Sequence, residues 1–361
     1  MAARDRSQRT RRLRPVLDAL EGRALLSAAP LHSAASLHAS AQVVHAAGHN
    51  ITASQAQSST ITIINRVTSN GVQFTNFDGP NAGTTTGTGT IMNGITNSGH
   101  AVGFTTTDSV AFLNFVTDPL KWTKAGLLNI NGSTAALAFA ANSAGTVVGS
   151  DGNAFFLRGG KVTTFIPTGG TSAVAFGVND HNTIVGQYVA EDTTPGFIRV
   201  NGKTTITINA PSGADTVFAQ GINNKGLVVG FYVGTDGQDH GFIANEHDAQ
   251  NGTLTGTAVA DPVIPTNPAE PGATFVFSQI LGINDHGIAV GYYGDSTGSQ
   301  HGFIYDTRTG QYFFLDDPSA AFDNGVVITQ ITGITNSDKI TGFYTDANEV
   351  AHGFVARPTS I

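Results

Sequence analysis

Gly221-Ile222-Asn223-Asn224-Lys225-Gly226-Leu227-Val228-Val229-Gly230-Phe231-Tyr232, followed shortly by His240-Gly241-Phe242, is the stretch from which the fold can be read. Two β-prone runs, Val217–Ile222 and Leu227–Tyr232, flank Asn223-Asn224-Lys225-Gly226. Asn and Gly tolerate the positive φ of a tight hairpin turn. A longer polar connection, Gly234–Asp239, leads to a third run, His240–Ala244. In the preceding stretch Asn201-Gly202, inside Arg199–Thr204, is a strong hairpin signal joining a third run to a fourth. Such a unit reads as a four-stranded antiparallel meander.

The unit recurs. Its first anchor is Gly94-Ile95-Thr96, Ala140-Ala141-Asn142, Gly177-Val178-Asn179, Gly221-Ile222-Asn223, Gly282-Ile283-Asn284 and Gly333-Ile334-Thr335. A second glycine follows nine residues after each start, at Gly103, Gly149, Gly186, Gly230, Gly291 and Gly342. The third anchor is a small residue and then Phe: Ala111-Phe112, Ala154-Phe155, Gly196-Phe197, Gly241-Phe242, Gly302-Phe303 and Gly353-Phe354. A fourth, Thr- or aromatic-rich run follows, as in Lys161–Ile166, Lys203–Ile208 and Gln311–Leu315. Successive second-anchor glycines are 46, 37, 44, 61 and 51 residues apart, in the range of a four-stranded propeller blade.

These spacings predict an all-β fold over residues 59–361: a six-bladed β-propeller of four-stranded antiparallel blades. The last unit stops after its third strand, near Val355, while Val72–Phe77 precedes the first unit as an orphan fourth strand. Pairing Val72–Phe77 with Gly353–Ala356 closes the ring. The alternative is an open β-repeat solenoid, which exposes two sheet edges and needs caps. Thr60–Val67 reads as one more strand with no assignable partner. The 61-residue interval holds Glu246–Gly272, rich in Pro and Gly, which reads as a long loop replaceable by a short linker without loss of fold.

Composition narrows the function classes. Of 361 residues only 12% are charged, 40% are hydrophobic and none is Cys, which excludes disulfides, thiolate metal sites and cysteine nucleophiles. The net charge of −8 argues against a nucleic-acid partner. No apolar run approaches the roughly 18 residues of a membrane helix. Residues 1–30 carry seven basic and three acidic residues, a basic head on an otherwise acidic chain, which reads as a targeting segment. Residues 31–58, rich in Ala, Ser and His, read as a disordered linker, and the histidines there (His32, His38, His45, His49) lack fixed ligand geometry.

Two resemblances follow from these residues. Leu20-Glu21-Gly22-Arg23-Ala24-Leu25-Leu26-Ser27 resembles the LEPR-XLL motif near the N-terminus of bacterial surface and exported proteins, with Gly22 in place of the motif's proline. The run Gly221–Tyr232 with His240-Gly241-Phe242 resembles the HAF repeat of extracellular bacterial proteins, closely at Gly221, Gly282 and Gly333 and more faintly at Gly94 and Ala140. The resemblance implies export to the cell surface or beyond and supplies no reaction.

The residues that carry chemistry point to binding. Gly294-Asp295-Ser296-Thr297-Gly298 matches the G-x-S-x-G nucleophile pattern, but it falls where sibling units have a hairpin loop, without the strand–turn–helix context that exposes such a serine. Asp236, Asp239, Asp295 and Asp346 lack calcium-loop spacing and read as turn formers. The pairs Asp316-Asp317 and Glu191-Asp192 read as solvated turns, as do His181 and His286. His240, His301 and His352 occupy one position in three consecutive units. They are the ligand-binding candidates, against the plainer reading that each caps a loop. No catalytic residue, metal site or cofactor is expected. The reading is a monomeric, non-enzymatic binding or scaffold module for an extracellular glycan or protein, with no nucleic acid and no membrane span. The alternative is a secreted propeller hydrolase or lyase acting on polysaccharide, whose mark would be Asp, Glu or His from three or more units gathered at one end of the channel.

Overall fold

The computed structural model describes residues 59–358, apart from 110–111, 122, 201, 203, 266–271 and 321–325. The basic head, the Ala/Ser/His-rich segment 31–58 and its histidines lie outside the described residues.

The described residues are all-β, with single 3-10 turns at Pro211–Gly213 and Glu246–Asp248. Each unit is an antiparallel meander. Phe275–Ile283, Ile288–Asp295, Gln300–Asp306 and Gln311–Phe314 hydrogen-bond in that order. The units at Ala140 and Gly221 are four-stranded as well, and the first and last units share a nine-stranded sheet through one parallel pairing, Ala351 with Gly89. In the last unit Thr329–Ile334, Ile340–Thr345 and Ala351–Pro358 are followed outward by Val72–Asp78, with Phe77 opposite Gly353 and Phe74 opposite Ala356. Thr62–Ser69 finds its partner there too, pairing on the outer side of Val72–Asp78.

The anchors have a steric cause. Every first strand carries a bulge two residues before or at its anchor, as at Ala219/Gly221 and Ile280/Gly282. Around the bulge the facing carbonyl leans over the second-anchor glycine. A Cβ on Gly186, Gly230, Gly291 or Gly342 would sit within 2.0 Å of Val174, Phe218, Gln279 or Gln330 oxygen respectively. The other flank is filled by the third-strand Phe opposite: Phe197, Phe242, Phe303 and Phe354 lie 2.7–2.8 Å from the same hypothetical Cβ. These rings are fully buried, each covering a glycine that has no side chain of its own.

The first-anchor glycines serve a different contact. Gly177 lies against Gly221, Gly221 against Gly282, Gly282 against Gly333 and Gly333 against Gly94, with a hypothetical Cβ 3.1–3.2 Å from the next Cα. A central cluster including Ile91, Leu137, Phe176, Phe218, Leu281 and Phe343 fills the space where the first strands converge.

The third residue of the anchor ties one sheet to the next. Asn223 Oδ1 accepts from the backbone N–H of Lys225 and Leu227, capping its own turn, while its Nδ2 donates to Asn284 oxygen at 2.9 Å. Asn142, Asn179 and Asn284 repeat the arrangement, donating to Asn179, Asn223 and Thr335 oxygens. Thr96 and Thr335 can cap but have no amide to donate. At those seams Asn93 Nδ2 reaches Ala138 oxygen and Thr332 Oγ1 reaches Met92 oxygen instead.

Two expectations are corrected. In the first unit Gly103 faces Phe115, not Phe112, so Ala111-Phe112 is not the third anchor; Phe112 packs edge-on against Phe104 in the central cluster. Asn114 stands in the small-residue place and spends its side chain on Ala136 oxygen and Ala138 N–H of the next unit, a role the sequence pattern does not signal. Glu246–Gly272 is not simply a loop. Thr253–Thr255 pairs in parallel with Thr204–Asn209, and Thr257–Ala258 is the outer strand of the fourth unit. Both runs are too short to show a pattern, and replacing the whole segment would strip two sheets of their outer pairing and remove buried Leu254 and Val259.

Replacing Gly230 with Ala is expected to cost at least about 2–3 kcal/mol, since neither the Phe218 carbonyl nor the Phe242 ring can retreat. Gly237→Ala meets no atom and bears only its φ of +82°, with an expected cost of about 1 kcal/mol. Urea unfolding of the two variants beside the wild type measures the difference.

Candidate functional site

Because the strands alternate in direction, each sheet has two ends. The turns between first and second strands gather at one end, the turn face. The loops between second and third strands, and the connections into the next unit, lie at the other, the loop face.

On the turn face the residues after the anchors are linked by hydrogen bonds around a shallow depression. Asn336 N–H donates to Asn97 Oδ1 at 2.8 Å, Asp285 N–H to Asn336 Oδ1 at 2.8 Å, Asn224 N–H to Asp285 Oδ1 at 2.7 Å and Asp180 N–H to Asn224 Oδ1 at 2.8 Å. Ser143 N–H continues to Asp180 Oδ1 at 2.8 Å. The carboxylates are flanked by amides: Asn97 and Asn224 donate to Asp180 Oδ2, Asn224 and Asn336 to Asp285 Oδ2. Burial raises the Asp180 pKa, but the bonds from Ser143, Asn97 and Asn224 outweigh it and hold the carboxylate below its usual range. These five links tie each turn to the next, from Asn97 to Ser143. Their signal was in the sequence, since five of the six residues following the anchor are Asn or Asp.

On the loop face the three histidines share one construction. Each is the second residue of a third strand and lies across from a tyrosine: Tyr232 from His240, Tyr293 from His301, Tyr344 from His352, with ring centroids 5.7, 5.0 and 5.2 Å apart. Each is held by two carboxylates. His240 Nδ1 is 2.9 Å from Asp261 and Nε2 3.1 Å from Asp236. His301 Nδ1 is 2.7 Å from Asp316 and Nε2 3.6 Å from Asp295. His352 Nδ1 is 2.7 Å from Asp78 and Nε2 3.5 Å from Asp346. One carboxylate comes from the loop before the histidine, the other from the end of the fourth strand or just beyond it. Each imidazole therefore clamps a loop to a connection within its own sheet.

The clamps are three separate sites with no shared partner, and among the described residues no group of three His, Asp or Glu is arranged to hold a metal. Sequence reasoning found the histidines but missed Asp261, Asp316 and Asp78, which lie 15–21 residues downstream or, for Asp78, 274 residues away. Asp316-Asp317 is no solvated turn: Asp316 holds His301, and buried Asp317 accepts from Asn76 Nδ2 at 3.1 Å and caps Ser319. Glu191-Asp192, His181 and His286 are exposed turn residues. Ser296 sits in a hairpin, where its Oγ accepts from Thr274 N–H.

Beside the central cluster on the same face, Asp239 Oδ2 accepts from Gln279 Nε2 at 2.6 Å, and Gln279 Oε1 accepts from Tyr292 O–H at 2.8 Å. Burial pushes the Asp239 carboxyl up to about 6, against the opposing pull of Gln279 and His240. In the following seam Gln330 Nε2 donates to Gln300 Oε1 at 2.6 Å.

The clamps have a pH signature. Burial lowers the pKa of His240 and His352, but Asp261 with Asp236, and Asp78 with Asp346, outweigh it and raise both above the ordinary value. A raised folded-state pKa contributes stability that is complete below about pH 6.5 and is lost as pH climbs through the folded value. The double variant His240→Gln, His352→Gln should therefore lose more Tm at about pH 6 than at about pH 9. The charge-dependent part is expected to be about 1 kcal/mol or less per clamp, as for partly screened pairs. Thermal melts across that range check the sign.

No family model and no curated protein matches the chain. Solved structures similar to it include TolB from Acinetobacter baumannii, with TM-score 0.43 and 9% identity over 72% of this chain; the chain spans 64% of TolB. The β-propeller domain of the Trilobed protease from Pyrococcus furiosus has TM-score 0.41 and 8% identity, covering 84% of this chain and 97% of that one. The BP39L lectin from Burkholderia pseudomallei has TM-score 0.35 and 13% identity, covering 84% and 99%.

Proposed function

We propose that this chain is an exported, non-enzymatic binding or scaffold module: a six-bladed β-propeller of HAF-like repeats, closed by Val72–Asp78 and presenting its loop face to an extracellular glycan or protein. Closure is supported by the pairing of Val72–Asp78 outside Ala351–Pro358 and by the approach of Gly333 to Gly94. Export rests on the basic head and its LEPR-XLL-like run.

The observation that carries the binding reading is how the polar groups are spent. Asp180 and Asp285 on the turn face, and the three histidines with their carboxylates on the loop face, hold backbone and loops in place. The loop-face connections differ from unit to unit in length and chemistry, and variable loops on a rigid frame are where recognition is placed. The alternative, a polysaccharide hydrolase or lyase, would draw on Asp239 as a general acid, given its pKa of about 6. Glycoside hydrolysis uses two flanking carboxyl groups. Across Asp239 stands the amide of Gln279 instead.

Removing residues 1–58 is expected to leave one cooperative unfolding transition, whereas removal through Pro80 should abolish it by taking away both N-terminal strands; calorimetry of the two truncations decides. A glycan and protein array probed with the full-length chain should give saturable binding without product release. Release of reducing ends from any bound polysaccharide would favour the enzyme.

A further inference from the structure

Each first strand has an equivalent residue three before its anchor, and where that residue is apolar it belongs to the central cluster. It is Ile91, Leu137, Val174 and Phe218 in four units, and Gln279 and Gln330 in the two that remain. The repeat evidently folds with an apolar side chain at this place. A polar one needs a hydrogen-bond partner, most of all at fully buried Gln330; Gln279 is half-buried. The partners are present: Asp239 for Gln279 and Gln300 for Gln330, each the residue just before a clamped histidine. Two coordinated departures from the repeat, in neighbouring seams and at one end of the axis, add polar groups that the fold itself does not need.

The surroundings of Gln279 define what those groups face. Phe277 lies two residues earlier in a regular stretch of the same strand, hence on the same side. It is half-buried, with its ring edge-on to Tyr292 at 5.8 Å. Val233 and Val326, also half-buried, pack against the same cluster. Asp239 is half-buried, and among the described residues its Oδ1 accepts no hydrogen bond. Gln279 Nε2 has a second N–H beyond the one given to Asp239. A carboxyl oxygen, an amide N–H and an aromatic ring thus lie together at the axial end of the loop face.

We propose that Asp239, Gln279 and Phe277 form a saccharide subsite on the loop face. Adjacent hydroxyls of one sugar residue donate to Asp239 Oδ1 and accept from Gln279 Nε2, while an apolar C–H face of the ring rests on Phe277. A carboxyl paired with an amide, with no group of three His, Asp or Glu gathered around it among the described residues, suits an uncharged polyol better than a metal cation. The assignment rests on the binding reading above and narrows its ligand to carbohydrate.

The decisive variant is Gln279→Leu, which installs the side chain that the second unit carries at Leu137. It is paired with Phe277→Ala, and with His181→Ala on the turn face as a control. The full-length chain is titrated by calorimetry and saturation-transfer NMR with neutral oligosaccharides: cellohexaose, xylohexaose, mannohexaose and maltohexaose. At least one is expected to bind, with Gln279→Leu and Phe277→Ala each weakening it tenfold or more, His181→Ala leaving it unchanged, and Gln279→Leu retaining a single cooperative melt even though Tyr292 and Asp239 lose a partner. Saccharide binding that survives Gln279→Leu with the fold intact overturns the subsite. Binding to arrayed proteins with none to the four oligosaccharides overturns the carbohydrate assignment and leaves the binding reading standing. Absence of binding to every arrayed ligand and to the four oligosaccharides removes both.

Discussion

At the glycine anchors the first strands of neighbouring sheets come so close that a side chain larger than the methyl of Ala140 has no room between them, and the rest of the architecture answers to that approach. A Cβ on Gly221 or Gly282 would fall 3.1 Å from the next glycine's Cα. The bulge beside each anchor turns a carbonyl toward the second strand, so that strand needs a glycine as well. The gap this leaves is filled from the third strand by a phenylalanine. Three anchors separated in sequence are one steric constraint passed outward through a sheet.

The carboxamide of the anchor asparagine adds direction to this packing. Its oxygen is committed to its own turn and its nitrogen to the next sheet, so a single side chain both ends a strand and sets the angle to its neighbour. Where threonine takes its place the cap survives and the tie is lost, and other side chains restore it from new positions. The turn face is consequently saturated with hydrogen bonds. The loop face carries no such requirement; its histidine clamps stabilise individual loops, and only in three units. Chemistry can vary there without disturbing the inner strands.

Much of this was legible in the sequence because steric rules act on identity. The second-anchor approaches admit only glycine and the first anchors favour it, with Ala140 the exception, so the anchors recur at fixed spacing, and the meander and the pairing of Val72–Phe77 with Gly353–Ala356 follow from counting, while the register came from the structure. The outer strands were harder. Thr257–Ala258 and Gly126–Leu127 make few bonds and bury little, so almost any short polar run serves, and the former disappeared into what read as a loop. In the first unit Asn114 stands where the siblings have a small residue, so the pattern points to Phe112 instead of Phe115.

The chain by itself determined the repeat, its strand count per unit and the histidines that stand at one position in three units, since each depends on residue type at a fixed local distance. Only the tertiary structure decided what those histidines do and which polar residues meet near the axis. His352 is held by Asp78 from the far end of the chain, and Gln279 meets Asp239 across a seam between sheets. Carboxylates and amides bond to whatever the fold brings within about 3 Å, and no spacing rule along the chain encodes a partner that arrives from another sheet.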